Sequence, residues 1–283
     1  MDIGLVLSGG MAKGAYQVGA LKAISEFIPR EDIKCVSCAS VGVLNGYAYV
    51  TGQVDKAEDM WRNFCADEGK TVINKVLKSA ALQDIITRLS EDSPALSADF
   101  YTTLLDATNK TTVYKNLNVQ ALDAKEYLQA SVAMPFYNDA IKIEGVSYFD
   151  GAVIDNIPVY PLFKRKLDYI VCIYFDDVCY KFENDSFDNR IIKVTFPSDS
   201  VIKQSVVFKK ESIDRMIDDG YKRTKEILSK MLADGYENVE SVYKNIEEND
   251  KADNERNLRV TGDVMVTNLN KITKRFVKRK IVL

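Results

Sequence analysis

No histidine occurs anywhere in the 283 residues. A Ser-His-Asp or Cys-His relay therefore cannot be assembled from this chain, nor can a zinc or haem site that relies on imidazole. A hydrolase built from it needs another group to take the nucleophile's proton. A surplus of cations is missing as well: 38 Lys and Arg stand against 41 Asp and Glu, for a formal charge of -3. That balance leaves no global field to draw in nucleic acid. No stretch approaches the roughly 20 apolar residues of a membrane span. A basic segment leading into a long apolar one, the mark of a secretory signal, is lacking at the start. Five cysteines, an odd number, do not make a disulfide framework and suit a reducing compartment. These absences predict a cytoplasmic protein with no nucleic-acid partner.

What is present is ordinary globular composition, 46% hydrophobic and 28% charged, which argues against disorder. The apolar run Ile3–Leu7 ends in Ser8-Gly9-Gly10 and predicts a buried strand entering a loop. Apolar residues at Ala15, Val18, Leu21, Ile24 and Ile28 predict a helix stopped by Pro29. Lys34–Ala39 reads as a strand and Val41–Val50 as a helix. Strand, loop, helix, strand, sharp turn, helix is the grammar of a parallel α/β sheet. Residues 55–105 carry helical periodicity, either a lid or a plain packing layer. Strands are expected around 111–114, 141–149, 167–175 and 191–196. From Glu211 to about Ile246 the pattern is helical, with Gly220 and Gly235 as interruptions, and 247–257 reads as a polar loop. No repeat or Pro/Ser/Gly linker divides the chain, so one elaborated domain is expected.

Three turns carry chemistry. Cys38-Ala39-Ser40-Val41-Gly42 follows a strand and opens a helix, the setting of a nucleophile elbow, with the helix N-terminus favouring developing negative charge. The plainer reading is that Ser40 caps the helix. Ser8-Gly9-Gly10-Met11-Ala12-Lys13-Gly14 also joins strand to helix, and its glycines let N–H groups converge on an oxyanion or a phosphate. Met11 breaks a dinucleotide fingerprint and Lys13 precedes Gly14, so neither nucleotide motif fits; a tight packing turn remains open. The third is Tyr148-Phe149-Asp150-Gly151-Ala152, where Asp-Gly is ordinary turn chemistry. Without imidazole, a partly buried carboxylate is the obvious acceptor for a serine's proton, because burial raises its proton affinity.

In this order the three turns resemble the patatin-like phospholipase family, most closely at 8–19, 38–46 and 150–158. Ala130–Pro135 is similar to that family's short helix and turn, and Gly220–Lys225 to its late helix. The resemblance covers roughly residues 1–235, which it implies to be an acyl hydrolase domain, with 236–283 a C-terminal extension on the same body. It implies a three-layer α/β/α sandwich with a central, mostly parallel sheet, hydrolysing lipid esters of the phospholipase A or lysophospholipase type. By the same resemblance, Ser40 is the nucleophile and Asp150 its base. Gly9, Gly10, Met11, Ala12, Lys13 and Gly14 form the oxyanion loop, Cys38 and Gly42 flank the elbow, and Gly151 and Ala152 complete the aspartate motif. No metal or cofactor is implied. The sequence departs from the pattern at Cys38, where the elbow has glycine, and at Met11, where the loop has glycine.

Those departures keep open a second reading, a catalytically weak lipid-binding or scaffold protein on the same fold. An acyltransferase using the same dyad is a third. Cys35-x-x-Cys38 suggests zinc or redox chemistry, but residues three apart on a strand point to opposite faces and no second Cys pair or His completes a site. Cys172 and Cys179 read as core thiols. The last residues carry Lys271, Lys274, Arg275, Lys278, Arg279 and Lys280 among apolar side chains. They form either an amphipathic segment for transient contact with an anionic membrane surface or, as favoured, an element docked on the body. The expected partner is a phospholipid or other lipid ester. Oligomeric state is open.

Overall fold

The computed structural model describes residues 1–63, 80–91, 95–118, 123–175, 189–196, 208–257 and 278–282. The run Ile3–Leu7 forms β1, wholly buried. It pairs in parallel with β2 (Ile33–Ala39) on one side and β7 (Tyr169–Tyr174) on the other, and β8 (Ile191–Thr195) lies beyond β7. Strands covered on both faces tolerate no exposed polar row, which is why these segments read as near-continuous apolar runs. On the other flank β3 (Asp99–Asp106) runs parallel to β2, and β4 (Thr111–Asn116) is antiparallel to β3. A hairpin of β5 (Ile141–Ile143) and β6 (Val146–Asp150) joins β3 as well. The strand β9 (Lys278–Val282) adds in parallel to β4.

Side chains alternate between two cores. Ile3, Leu5 and Leu7 face the larger one and Val6 the smaller; Tyr169, Val171 and Ile173 face the larger, Ile170, Cys172 and Tyr174 the smaller. Helices cover the larger side: α1 (Gly14–Phe27), α2 (Val41–Val50), α3 (Val54–Asn63), α4 (Ala80–Ser90), α5 (Ala124–Ser131), α6 (Lys210–Met231) and α7 (Val239–Asn257). The smaller side is closed by Ile157, Val159 and the 3-10 helix Tyr160–Lys164, whose Leu162 is fully buried. The result is an α/β fold, a mixed central sheet flanked by helices.

Several expectations change. Helical periodicity over 55–105 holds for α3 and α4, whereas residues 99–105 form strand β3; 64–79 and 92–94 lie outside the described residues. Phe100 and Leu104, four apart, share a face in a helix and in a strand alike, and both point into the larger core. Gly220 does not interrupt α6. It sits inside the helix against the Tyr16 carbonyl, where only a residue without Cβ lets α1 and α6 approach. Gly235, with φ 97, is where the helical stretch does break. The polar stretch 247–257 is not a loop but the second half of α7. Its charges are spaced to pair along the helix, as in Lys251–Glu247 at 2.7 Å. Lys193 on β8 reaches Asp250 at 3.0 Å. Of the basic C-terminal residues, 278–280 belong to strand β9 rather than to an amphipathic helix, while 271, 274 and 275 lie outside the described residues.

Among the described residues no helix is long and apolar enough to cross a membrane. Cys35 and Cys38 do face opposite cores, and Cys172 is buried; Cys179 lies outside the described residues.

Candidate active site

β2 delivers Ser40 into a backbone conformation of φ 53 and ψ -134 at the head of α2. A serine held there stores about 1–3 kcal/mol of strain. Gly42 makes the turn feasible: a Cβ at this position would lie 2.8 Å from the Leu7 carbonyl and 2.7 Å from that of Ser8. Ser40 occupies the N-cap position but makes no capping bond with its side chain. The hydroxyl lies near enough to the Asp150 carboxylate to favour its ionised form. Cys38 is accommodated because its sulfur packs over Gly46. Burial pushes that thiol well above its ordinary range, so it stays protonated.

Asp150 reaches Ser40 through strand register. β4 occupies one edge of β3 along 101–106. On the other edge β2 pairs as far as Ala39 opposite Thr103, and β6 begins where β2 stops, with Asp150 opposite Leu104. Two strands thus meet end to end on one edge, with Ser40 and Asp150 at the junction. The Asp150 N–H donates to the Ala133 carbonyl at 2.8 Å, and its Oδ1 accepts the Ala152 N–H at 2.9 Å. Gly151 follows because its Cα abuts the Thr103–Leu104 backbone. Asp150 is 2% exposed. Burial pushes its pKa up to about 7, against the opposing pull of the Ser40 hydroxyl and the Ala152 N–H.

The glycine loop passes directly over the serine, since a Cβ on Gly9 would sit 2.8 Å from that of Ser40. Asn156, in the segment after Asp150, clamps Gly9 twice: the Gly9 N–H donates to the Asn156 carbonyl and Asn156 Nδ2 donates to the Gly9 carbonyl, each at 3.3 Å. The Lys13 N–H donates to the Gly10 carbonyl at 3.0 Å, and the Gly14 N–H to the Met11 and Ala12 carbonyls. Among the described residues, none of the loop's backbone bonds uses the N–H of Gly10, Met11 or Ala12. Met11 takes the left-handed conformation, φ 52, that glycine would adopt without cost. The Lys13 ammonium is buried and lies 5.2 Å over the Phe175 ring.

A buried polar chain braces this loop from behind. Trp61 Nε1 donates to Asn45 Oδ1 at 2.9 Å, Asn45 Nδ2 donates to Gln17 Oε1 at 2.9 Å, and Gln17 Nε2 donates to the Ser8 carbonyl at 2.7 Å. Asn45 Nδ2 also reaches the Gly14 carbonyl at 2.9 Å. Sequence reasoning did not single out Gln17, Asn45 or Trp61. The available signal was a polar amide on the core-facing side of each apolar helix. Trp61, Met60, Leu44, Ile85, Leu89 and Phe208 wall a small apolar cavity of about 40 Å³ behind α2. α3 itself is fastened to α1 by Lys22–Glu58 at 2.5 Å and to α6 by Arg62–Asp214 at 2.8 Å. These pairs pack α3 against the body, while 64–79 of the same stretch lie outside the described residues. Among the described residues no cluster of three acids or cysteines can hold a metal.

Comparison with known proteins follows the same outline. The family model described as patatin-like phospholipase matches residues 5–163, the span holding all three turns. Among solved structures the chain is similar to VipD from Legionella pneumophila, with TM-score 0.49 and 13% identity over 81% of this chain and 67% of that one. It is also similar to the type III effector ExoU, with TM-score 0.48 and 14% identity over 81% and 53%. ExoU in complex with SpcU, from the type III secretion system of Pseudomonas aeruginosa, matches with TM-score 0.44 and 16% identity over 90% and 61%. The chain thus spans between about half and two thirds of those proteins' lengths. No curated protein sequence matches it.

Proposed function

The chain belongs to the patatin-like phospholipase family, and from that premise we propose that it is a lipid acyl hydrolase working through a Ser40–Asp150 dyad. The observation that carries the reading is the meeting of β2 and β6 on one edge of β3, which sets Ser40 against a buried carboxylate whose pKa burial pushes up to about 7. At neutral pH such a group is part ionised, so it accepts the serine's proton and returns it to a leaving alcohol. Ser40 attacks the ester carbonyl and forms an acyl-serine. The Gly10, Met11 and Ala12 N–H groups, aided by the N-terminus of α2, hold the oxyanion. Water, activated by Asp150, then releases the fatty acid. Gly9, Lys13 and Gly14 shape the loop in this scheme, because their N–H groups are already engaged. No metal or cofactor takes part.

The substrate class is a phospholipid or lysophospholipid, cleaved at a carboxylic ester. The buried thiols Cys35 and Cys38 suit a reducing, cytoplasmic setting. The reading of 236–283 as an extension of the same domain is supported among the described residues by Val242 and Ile246 of α7, which enter the main core, and by β9, which joins the sheet. The test is lipid profiling with wild type against Ser40→Ala, alongside labelling with a fluorophosphonate probe. An adduct on Ser40 and Ser40-dependent release of fatty acid support the scheme. Absence of both would leave a lipid-binding protein on the same fold, and transfer of the acyl group to an added alcohol would make it an acyltransferase.

A further inference from the structure

Among the described residues three large hydrophobic side chains stand exposed: Phe136, Tyr137 and Val153. All three lie on segments that meet at the Asp150 backbone. The Ala133 carbonyl accepts the Asp150 N–H at 2.8 Å. Phe136 lies three residues beyond Ala133, and Val153 three residues beyond Asp150. Two segments joined through the Asp150 backbone N–H therefore both carry exposed apolar groups. Phe136 is also held at φ 71, in a turn closed by the Tyr137 and Asn138 N–H groups on the Met134 carbonyl at 3.2 and 3.0 Å. A bulky residue in the left-handed region is an outlier that costs of order 1–3 kcal/mol. Here the ring gains no packing in return. Folding of the chain alone gives no reason for this placement.

We propose that the Phe136–Tyr137 turn, together with Val153, seats the mouth of the site on a zwitterionic lipid surface. The inference rests on the acyl hydrolase reading, since a two-chain ester resides in such a surface and must be drawn from it. A phenyl ring with a tyrosine hydroxyl next to it suits the boundary between acyl chains and headgroups. Three side chains are too few for a stable protein interface, which needs about 20 residues a side. The exposed charges around the turn, Asp139, Lys142 and Glu144, are of mixed sign. They give no pull toward an anionic membrane, so the attraction is apolar and insensitive to salt.

The experiment compares wild type with Phe136→Gly/Tyr137→Ser on phosphatidylcholine vesicles and on a soluble short-chain p-nitrophenyl ester. Glycine suits φ 71, so the double variant should melt no lower than wild type. Its partition onto vesicles should fall roughly ten- to hundredfold, the factor set by withdrawing one phenylalanine from an apolar phase. Turnover of vesicle lipid should fall with it, while soluble-ester turnover stays unchanged. In Phe136→Trp, brominated lipid should quench the new indole. Unchanged partition would overturn the proposal, as would binding confined to anionic vesicles and abolished by salt. Conversion of a wild-type dimer to a monomer by the double variant would also overturn it, assigning the patch to a second copy of the chain. Vesicle partition is read by sedimentation without any turnover. A wild type that binds vesicles but cleaves neither substrate therefore refutes the hydrolase reading and not the docking.

Discussion

Ser40 and Asp150 meet because two strands share one edge of a third. Ala39 is opposite Thr103 and Asp150 opposite Leu104, so consecutive positions on β3 set Ser40 beside the Asp150 carboxylate. The pair is thus built into rigid sheet on the Asp150 side and into a strained turn on the Ser40 side. That arrangement brings a hydroxyl up to a buried carboxylate without any imidazole.

The pH dependence follows from burial. With the Asp150 pKa near 7, the ionised base is lost as pH falls below that value. kcat/KM on a soluble ester should drop about tenfold per unit below pH 7 and level off above it. Asp150→Asn should lower kcat by at least about 10²- to 10⁴-fold. A profile whose lower limb lies near pH 4 would show that Asp150 is not the titrating base.

The same shift predicts a stability trade. The folded carboxyl holds its proton up to about 7 against an ordinary value of 3.8, so the folded state binds more protons between those limits. Stability from this group is therefore full at low pH and is lost as pH rises from about 4 through about 7. Three pKa units at about 1.4 kcal/mol each put the loss at up to about 4 kcal/mol. Asp150→Asn has no such charge to bury. Urea denaturation should find it more stable than wild type at pH 8.5 by up to that amount, and nearly equal at pH 4. Equal stability at both values would contradict a buried, ionising Asp150.

Much of this was legible in order along the chain and little of it across the chain. β1, α1, β2 and α2 announce themselves because apolar runs end in small residues at sharp turns. Ser40 and Asp150 could be named as reactive types, yet what brings them together is β3, whose Phe100 and Leu104 spacing imitates a helix. The oxyanion loop could be named as six residues. Which of its N–H groups remain available depends on Asn156, more than 140 positions away, and no local pattern encodes that. Cys38 reads as a defect in the elbow until Gly46, on the next helix, is seen to make room for it.

The chain Trp61–Asn45–Gln17 should position the loop through the Ser8 carbonyl. Gln17→Leu leaves that carbonyl and Asn45 Nδ2 each short of a buried partner, at a cost of about 1–3 kcal/mol. If the chain only stabilises the fold, kcat at a temperature well below the melting transition should match wild type. Positioning predicts instead a drop in kcat with KM nearly constant, and a smaller drop in Trp61→Phe, whose bond reaches the loop only through Asn45. Gln17→Glu, which keeps an acceptor for Asn45 but loses the donor to Ser8, should resemble Gln17→Leu in kcat more than in stability.

Met11 offers the sharpest local test. At φ 52 a residue with a Cβ is strained by about 1–2 kcal/mol, whereas glycine is not. Replacing Met11 by alanine or glycine removes the same thioether and differs only in that Cβ. Alanine ordinarily stabilises a chain relative to glycine by limiting the unfolded state. Here the order should invert, with Met11→Gly more stable than Met11→Ala by about 1 kcal/mol in denaturant titration. Both should keep the loop N–H groups in place and retain esterase turnover, with Met11→Gly at or above wild type if the side chain only burdens the loop. Alanine proving the more stable of the two would mean that residue 11 leaves the left-handed region in solution, and the loop would then present a different set of donors to Ser40.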